Sequence, residues 1–272
     1  MPELPEVETI KQSLAPYVLG QRIREVTLYQ PRVVARPGPE DFCRLQAGAT
    51  VRSLARRGKY LLFYLEEERV LVVHLRLTGR LVWQASPGPL SKHTHVVWHL
   101  DNGFLLYEDL RRFGRLWLVR ETELVEVAGL AALGPEPLGE GLGGSWAAAF
   151  WRRDRPLKSL LLDQRFVAGI GNIYADEILH RAGLHPLRRA ATLSKGEAEA
   201  LAEAIRNVLT EAIEHRGTSI RDYVDGQGAS GQHQDFLQVH GRAGKACYRC
   251  GTPVVRIKLG GRGTYFCPGC QQ

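Results

Sequence analysis

The stretch Cys247–Cys270, CYRCGTPVVRIKLGGRGTYFCPGC, holds four of the five cysteines in this 272-residue chain. They form two Cys-x-x-Cys pairs, Cys247 with Cys250 and Cys267 with Cys270, and sixteen residues separate the pairs. This spacing is typical of a structural zinc site, because each pair presents two thiolates from a tight turn and four thiolates close a tetrahedral shell. We therefore expect one structural zinc ion and no organic cofactor.

The segment between the two cysteine pairs is basic and contains a glycine-rich turn. Lys258 and Arg262 flank Leu259, Gly260 and Gly261, and residues 245–272 contain neither Asp nor Glu. Glycines let a backbone approach a phosphate closely, and a guanidinium binds two phosphate oxygens. The pattern predicts a phosphate-binding hairpin tip, with a solvated turn as the alternative.

The residues before the cysteines have helical patterns. Residues 158–183 are compatible with helix apart from an interruption at 169–172, and Ser194 with Glu197 matches a capping box. Behind that box, apolar residues fall on one helical face: Leu201, Ile205, Val208, Leu209, Ala212 and Ile213. Gly and Pro are frequent in residues 134–147, which predicts a linker.

Residues 20–120 have strand patterns instead. Residues 60–65 and 70–77 flank a charged turn, and residues 94–100 and 104–107 flank the tight-turn sequence Asp101-Asn102-Gly103. Short strands joined by hairpins predict an antiparallel sandwich or barrel. The expected fold class is α+β, with strands in the first half of the chain and helices in the second.

Composition and charge narrow the possible functions. Hydrophobic residues make up 44% of the chain and charged residues 24%, which excludes a disordered chain. The sequence contains no uncharged apolar run long enough for a membrane span, and the start MPELPEVE has no basic residue. We expect neither a secretory signal nor a membrane partner. The net charge of +7 favours a polyanionic partner such as nucleic acid.

Eight motifs, in order from Pro2 to Gln271, resemble those of bacterial formamidopyrimidine-DNA glycosylases. They are MPELPEVET at 1–9, RRGKYLL at 56–62, HLRLTGRL at 74–81, KHTH at 92–95, EDLRRFG at 108–114, LGPEPL at 133–138, LLDQRFVAGIGNIYADEIL at 161–179 and RGTYFCPGCQ at 262–271. The resemblance implies an N-terminal β-sandwich with flanking helices, a helix–two-turn–helix module and a zinc finger. The expected boundaries are 1–134 for the catalytic sandwich, 135–150 for the linker, 151–240 for the helical DNA-binding domain and 241–272 for the zinc finger.

The resemblance also implies a set of catalytic residues. The family uses its mature N-terminal proline as nucleophile, which here is Pro2 once Met1 is removed. An α-amino group has a pKa near 8, against about 10.4 for lysine, so far more of it is unprotonated at neutral pH. A secondary amine can form an iminium with a sugar carbon. Glu3 is the implied general acid and base, and Lys59 and Arg262 are implied active-site residues.

Further residues are implied to contact DNA. Leu77, Arg111 and Phe113 would fill the space left by an extruded base, with Arg111 reading the orphaned cytosine. Leu77 stands where the family usually has methionine. The other implied contacts are His74, His93, Arg112, Arg152, Asn172 and Lys258, and the loop 217–234 would cover the lesion through Thr218, Ser219 and Tyr223. The residues alone favour core packing for Phe113 and a solvated surface for Arg111, and Asn172 is also compatible with a helix N-cap.

The implied activity is excision of oxidised purines, 8-oxoguanine and formamidopyrimidines, from duplex DNA. Strand cleavage by β- and δ-elimination would follow, and we expect a monomer in the bacterial cytoplasm, associated with the nucleoid. One alternative is an endonuclease VIII-type enzyme for oxidised pyrimidines, and another is a non-catalytic zinc-ribbon DNA-binding protein. The element Arg111–Phe113 and the long loop 217–234 favour the purine enzyme. Borohydride trapping separates the catalytic hypotheses from the non-catalytic one.

Overall fold

A computed structural model of the chain describes residues 1–139, 142, 146 and 148–272. These residues form two compact units, one from Met1–Ala131 with His215–Gln232 and the other from Ala132–Glu214 with His233–Gln272. The predicted linker 135–150 includes residues 140, 141, 143–145 and 147, and that part of it lies outside the described residues. The domain boundaries expected from the sequence stay a prediction.

The first unit consists mainly of strands. Its helices are α1 (Leu4–Val18) and α2 (Pro39–Arg44), with 3-10 turns at Pro31–Val33 and Glu121–Glu126. Its strands are β1 (Ile23–Leu28), β2 (Val34–Arg36), β3 (Val51–Arg57), β4 (Tyr60–Leu65), β5 (Arg69–His74), β6 (Gly79–Gln84), β7 (Thr94–Leu100), β8 (Gly103–Asp109) and β9 (Arg115–Arg120).

The strands of the first unit form two sheets that share one core. One sheet has the order β1-β7-β8-β6 and the other the order β2-β9-β5-β4-β3. Neighbouring strands are antiparallel, except that β2 runs parallel to β9. Residues of α1 and of both sheets pack into a single buried cluster that includes Leu14, Phe63, Trp98 and Tyr107. This arrangement confirms the predicted β-sandwich.

The strand predictions fit β4 and β7 at both ends, whereas the strand predicted at 70–77 stops at His74. The chain leaves the sheet there because Gly79 N–H donates to the Leu75 carbonyl at 3.0 Å. Arg76 has a φ of 54° in the turn thus formed. Leu77 consequently lies in a tight turn and is 38% exposed, not at the end of a strand.

The second unit consists mainly of helices. These are α3 (Leu157–Leu161), α4 (Asn172–Arg181) and α5 (Lys195–Glu214), with 3-10 turns at Ala190–Thr192 and His233–Phe236. The strands β10 (Val255–Leu259) and β11 (Arg262–Phe266) form an antiparallel hairpin. Among the described residues, none of the helices combines the length and the apolar character that crossing a lipid bilayer requires.

In the second unit, the structure confirms the predicted capping box before α5 but shows a longer interruption between α3 and α4 than the sequence predicted. The capping box at α5 is confirmed, since Ser194 N–H donates to Glu197 Oε2 at 2.8 Å and Glu197 N–H to Ser194 Oγ at 3.3 Å. The interruption predicted at 169–172 is longer and separates α3 from α4. The Gln164 side chain holds the irregular backbone, accepting from Gly169 N–H at 3.0 Å and donating to the Ile170 carbonyl at 2.8 Å.

Candidate active site and nucleic-acid interface

The N-terminal segment of the first unit is buried from Pro2 to Val7, whereas Met1 is exposed. Pro2 and Glu3 lie at the start of α1, and Glu3 is only 3% exposed. Glu6, one turn later, accepts from Glu3 N–H at 2.7 Å through Oε2 and from Thr218 N–H at 2.8 Å through Oε1. Burial of carboxylates is unfavourable unless they are hydrogen-bonded. Glu6 therefore ties the N-terminal segment to the loop that begins at 217.

Lys59 and His74 lie where two neighbouring strands of the five-stranded sheet, β4 and β5, begin and end. Lys59 directly precedes β4 and is 6% exposed, and the register pairs Tyr60 with His74. Burial, together with the charges of Arg76 and Lys59, lowers the pKa of His74 to about 3. Nδ1 of His74 accepts from Arg76 N–H at 3.0 Å, so the neutral ring carries its hydrogen on Nε2. His74 is a neutral donor at physiological pH.

Two tight turns of the first unit present apolar side chains to solvent. Leu77 lies between β5 and β6, and Phe113, which is 54% exposed, lies between β8 and β9. The exposure of Phe113 rules out the core-aromatic alternative. Arg111 and Arg112 beside it are exposed as well, whereas His93 before β7 is half-buried. Apolar tips flanked by guanidinium groups suit insertion between base steps next to phosphates.

The loop predicted to cover the lesion is held by its own side chains. Ser219 Oγ donates to the Tyr223 carbonyl at 2.8 Å and accepts from Gly231 N–H at 2.9 Å. The Tyr223 hydroxyl donates to the Arg216 carbonyl at 3.1 Å, and burial raises the pKa of this phenol. Ser219 and Tyr223 thus maintain the shape of the loop, and Thr218 contributes its N–H to Glu6.

In the second unit, Asn172 lies beside the zinc-finger hairpin. It opens α4, and its Nδ2 donates to the Gly263 carbonyl at 3.1 Å. Arg262, the residue before Gly263, is exposed, as are Lys258 and Arg152. The N–H groups at a helix N-terminus and an adjacent guanidinium are suited to bind the same phosphate.

Sequence reasoning missed the buried ion pair that joins α3 to α4 and whose lysine also bonds to this hairpin. Lys158 Nζ lies 2.7 Å from Asp176 Oδ1 and donates to the Gly263 carbonyl at 3.0 Å, and both side chains are at most 1% exposed. Asp176 Oδ2 lies 2.8 Å from His240 Nδ1. The available signal was a lysine and an aspartate, each among the apolar residues of a short helix, where charged residues are seldom fully buried.

The four predicted zinc ligands converge in the second unit. Their Sγ atoms all lie within 4.8 Å of one another, with 3.4 Å between Cys250 and Cys267 and 3.9 Å between Cys247 and Cys270. A tetrahedral zinc ion with Zn–S bonds of about 2.3 Å separates its sulfurs by about 3.8 Å. Arg249 N–H donates to Cys247 Sγ at 3.4 Å, as suits a thiolate. The set fits one structural zinc with no open coordination position.

Comparisons with known proteins agree with this anatomy. Residues 1–116 match the formamidopyrimidine-DNA glycosylase N-terminal domain, residues 133–224 the H2TH domain of the same enzymes, and residues 244–272 a zinc finger found in FPG and IleRS. The formamidopyrimidine-DNA glycosylase of Moorella thermoacetica is 54% identical over 95% of each chain. That of Desulforamulus reducens is 48% identical over 100% of this chain and 99% of its own.

Solved structures agree as well. A crystal structure of a mutant Lactococcus lactis FPG in complex with a Fapy-dG-containing DNA superposes with a TM-score of 0.94, at 36% identity over 100% of both chains. The MutM (FPG) protein from Thermus thermophilus gives a TM-score of 0.89, at 44% identity over 99% of this chain and 98% of that one. The β-sandwich, the helical module and the four-cysteine hairpin are thus shared in order and in shape, and the chain belongs to the formamidopyrimidine-DNA glycosylase family.

Proposed function

We propose that this protein excises oxidised purines from duplex DNA and then cleaves the strand, using the amine of Pro2 after removal of Met1. The observation that carries this assignment of roles is the burial of Pro2 and Glu3 together at the start of α1. Glu3 is the N-cap of α1 and its N–H donates to Glu6, so the helix start holds both residues in place. The same pair suits covalent catalysis with proton transfer.

The proposed reaction has three stages: base excision, cleavage of the strand on both sides of the sugar, and release of the amine. The Pro2 nitrogen attacks C1′ of the lesion nucleotide, the glycosidic electrons leave with the base, and the proton lost from the nitrogen neutralises the departing base anion. Glu3 protonates the ring oxygen O4′ as the sugar opens to an iminium. Loss of a proton from C2′ expels the 3′ phosphate, and loss of a second proton from C4′ expels the 5′ phosphate. Water then hydrolyses the iminium and frees the amine. Lys59, a cation near Pro2 in this scheme, disfavours protonation of the amine.

The remaining residues bind and shape the DNA in this proposal. Leu77, Arg111 and Phe113 occupy the space vacated by the extruded nucleotide. Asn172 and Arg262 hold one backbone phosphate, and the other predicted contacts bind further along the backbone: His74, His93, Arg112, Arg152 and Lys258. The loop 217–234 covers the base. We assign the protein to the bacterial cytoplasm, because its substrate is chromosomal DNA, and we expect it to act as a monomer.

Borohydride trapping on duplex DNA with 8-oxoguanine opposite cytosine tests the proposal. Protein shown by mass spectrometry to have lost Met1 should give a covalent adduct, and protein that retains Met1 should give none. Pro2→Gly should keep partial trapping, because a primary amine remains. Full trapping by Met1-bearing protein would assign the nucleophile elsewhere. Thymine glycol in the same duplex measures the oxidised-pyrimidine activity, which should be much weaker.

A further inference from the structure

The side chain of Asp109, at the end of β8, accepts hydrogen bonds from two different turns. It is fully buried, and its Oδ1 accepts from the Thr78 hydroxyl at 2.5 Å and from Arg111 N–H at 3.1 Å. Its Oδ2 accepts from Gly114 N–H at 2.8 Å and from the Tyr107 hydroxyl at 3.3 Å. Hydrogen bonds to an ionised acceptor are among the stronger ones in proteins. The Asp109 carboxylate therefore holds both turns in place.

The Thr78 hydroxyl also connects the two turns directly. Thr78 follows Leu77 in the turn between β5 and β6, and its Oγ accepts from Arg111 N–H at 3.1 Å. Arg111 belongs to the turn between β8 and β9. We call Thr78, Asp109 and the Arg111 N–H the clasp.

Each turn has little conformational freedom of its own. Arg76 and Arg112 have φ angles of 54° and 58°, in the left-handed region that non-glycine residues seldom adopt. A Cβ on Gly79 would lie 2.5 Å from the Leu75 carbonyl oxygen, and one on Gly114 would lie 1.9 Å from the Tyr107 hydroxyl. Two rigid turns joined by a hydrogen-bonded hydroxyl move together.

We propose that Thr78 is a positioning residue, whose hydroxyl in the clasp makes Leu77 and Arg111 enter the DNA as one rigid unit. The inference rests on the proposed function, in which Leu77 fills the gap and Arg111 reads the opposite cytosine. A guanidinium distinguishes cytosine from adenine only when its donors are aligned with the base edge. Because the clasp fixes the Arg111 backbone relative to Leu77, insertion of the leucine sets that alignment.

The test compares Thr78→Val with Tyr107→Phe. Each variant removes one hydroxyl donor from Asp109, but Tyr107 lies within β8 and on neither turn. The readouts are the excision ratio for 8-oxoguanine opposite cytosine over adenine, and borohydride trapping at a preformed abasic site. We expect Thr78→Val to lower the ratio at least threefold with trapping within twofold of wild type. Thr78→Ser should restore the ratio, and Tyr107→Phe should leave it unchanged.

Other outcomes overturn the proposal. An unchanged ratio in Thr78→Val shows that the hydroxyl does not position Arg111, and an equal fall in Tyr107→Phe shows that Asp109 gives only general support. Thr78→Ala is measured alongside, so that poor folding of the valine variant does not decide the result. In the double variant Thr78→Val/Arg111→Ala, the ratio should equal that of Arg111→Ala alone. Absence of trapping by wild-type protein refutes the proposed function itself, whatever the ratios show.

Discussion

At the scale of single residues, Arg111 and Arg262 are exposed arginines with different partners in the proposed complex. An orphaned cytosine offers two adjacent acceptors to a guanidinium, while adenine presents a donor beside one acceptor. This mismatch costs about 1–3 kcal/mol, or roughly 5- to 150-fold in selectivity. Arg111→Ala should therefore flatten the ratio of excision opposite cytosine to excision opposite adenine.

Arg262→Ala provides the contrast, because a phosphate contact carries no base information. It should weaken binding to all duplexes equally and reduce the slope of log affinity against log salt by about one. Excision ratios and salt-dependent affinities of both variants measure the two effects. If Arg262→Ala shifts the ratio and Arg111→Ala does not, the two roles are reversed.

His74 makes the stability of the first unit depend on pH. Its pKa of about 3 in the folded chain lies below the unfolded value near 6.5, so between these values the unfolded chain binds more protons. Stability is therefore lost as the pH falls below 6.5. Between pH 6.5 and pH 5 this residue alone should lower the free energy of unfolding by about 1.5–2 kcal/mol.

Urea unfolding of wild type and His74→Gln at the two pH values checks this dependence. The variant should lose about that much less stability on acidification, because glutamine does not titrate. An equal loss in both proteins would show that His74 is protonated as readily in the folded chain as in the unfolded one.

At the scale of elements, the zinc-finger hairpin depends on its metal. The buried apolar cluster around it is small: Val239, Cys247, Val254 and Cys267. Because so little apolar surface is buried, metal binding supplies most of the folding free energy of such a hairpin. Cys250→Ser should lower zinc content and DNA affinity together, and Cys43→Ser, in the first unit, should change neither. Metal analysis of gently purified wild-type protein should give one zinc per chain, and a ratio near zero would contradict the site.

The ion pair between Lys158 and Asp176 should stabilise the second unit far more than an exposed pair does. Asp176→Asn leaves a buried ammonium without its counter-charge, which costs about 3–5 kcal/mol. Glu211→Gln breaks the pair with Arg181, whose side chains are 36% and 43% exposed. That change should cost at most about 1 kcal/mol. Urea unfolding of the two isosteric variants measures the loss of unfolding free energy in each. Equal losses would show that burial does not make the pair of Lys158 with Asp176 more stabilising than the exposed pair.

At the scale of the whole molecule, local patterns predicted the elements and the ordered motifs predicted the family. Apolar runs flanked by turn residues located β4 and β7, and the cysteine spacing located the zinc ligands, because each depends on neighbours in sequence. The pairing of β1 with β7, the clasp at Asp109 and the pair of Lys158 with Asp176 did not follow from such patterns. They depend on side chains brought together from distant segments, which no periodicity encodes.

The roles of Pro2, Glu3, Lys59 and Arg262 came from the resemblance, and they remain assignments for the experiments above. An isolated proline after methionine carries no local signal of catalysis. The structure adds that Pro2 and Glu3 are buried at the start of α1, where Glu3 forms a capping box with Glu6.

The return of residues 215–232 to the first unit has a consequence for biosynthesis. Thr218 N–H and Gly226 N–H bond to Glu6 and Ser13 across 212 and 213 positions of sequence. The ribosome extends a chain by about 5–20 residues per second, so the roughly 100 residues after Ala131 take about 5–20 s to make. Throughout that interval the nascent sandwich lacks its last segment and Glu6 lacks its distant donor. The N-terminal half therefore emerges early and stays incomplete until residues 215–232, the loop that we propose covers the lesion, are made late in synthesis.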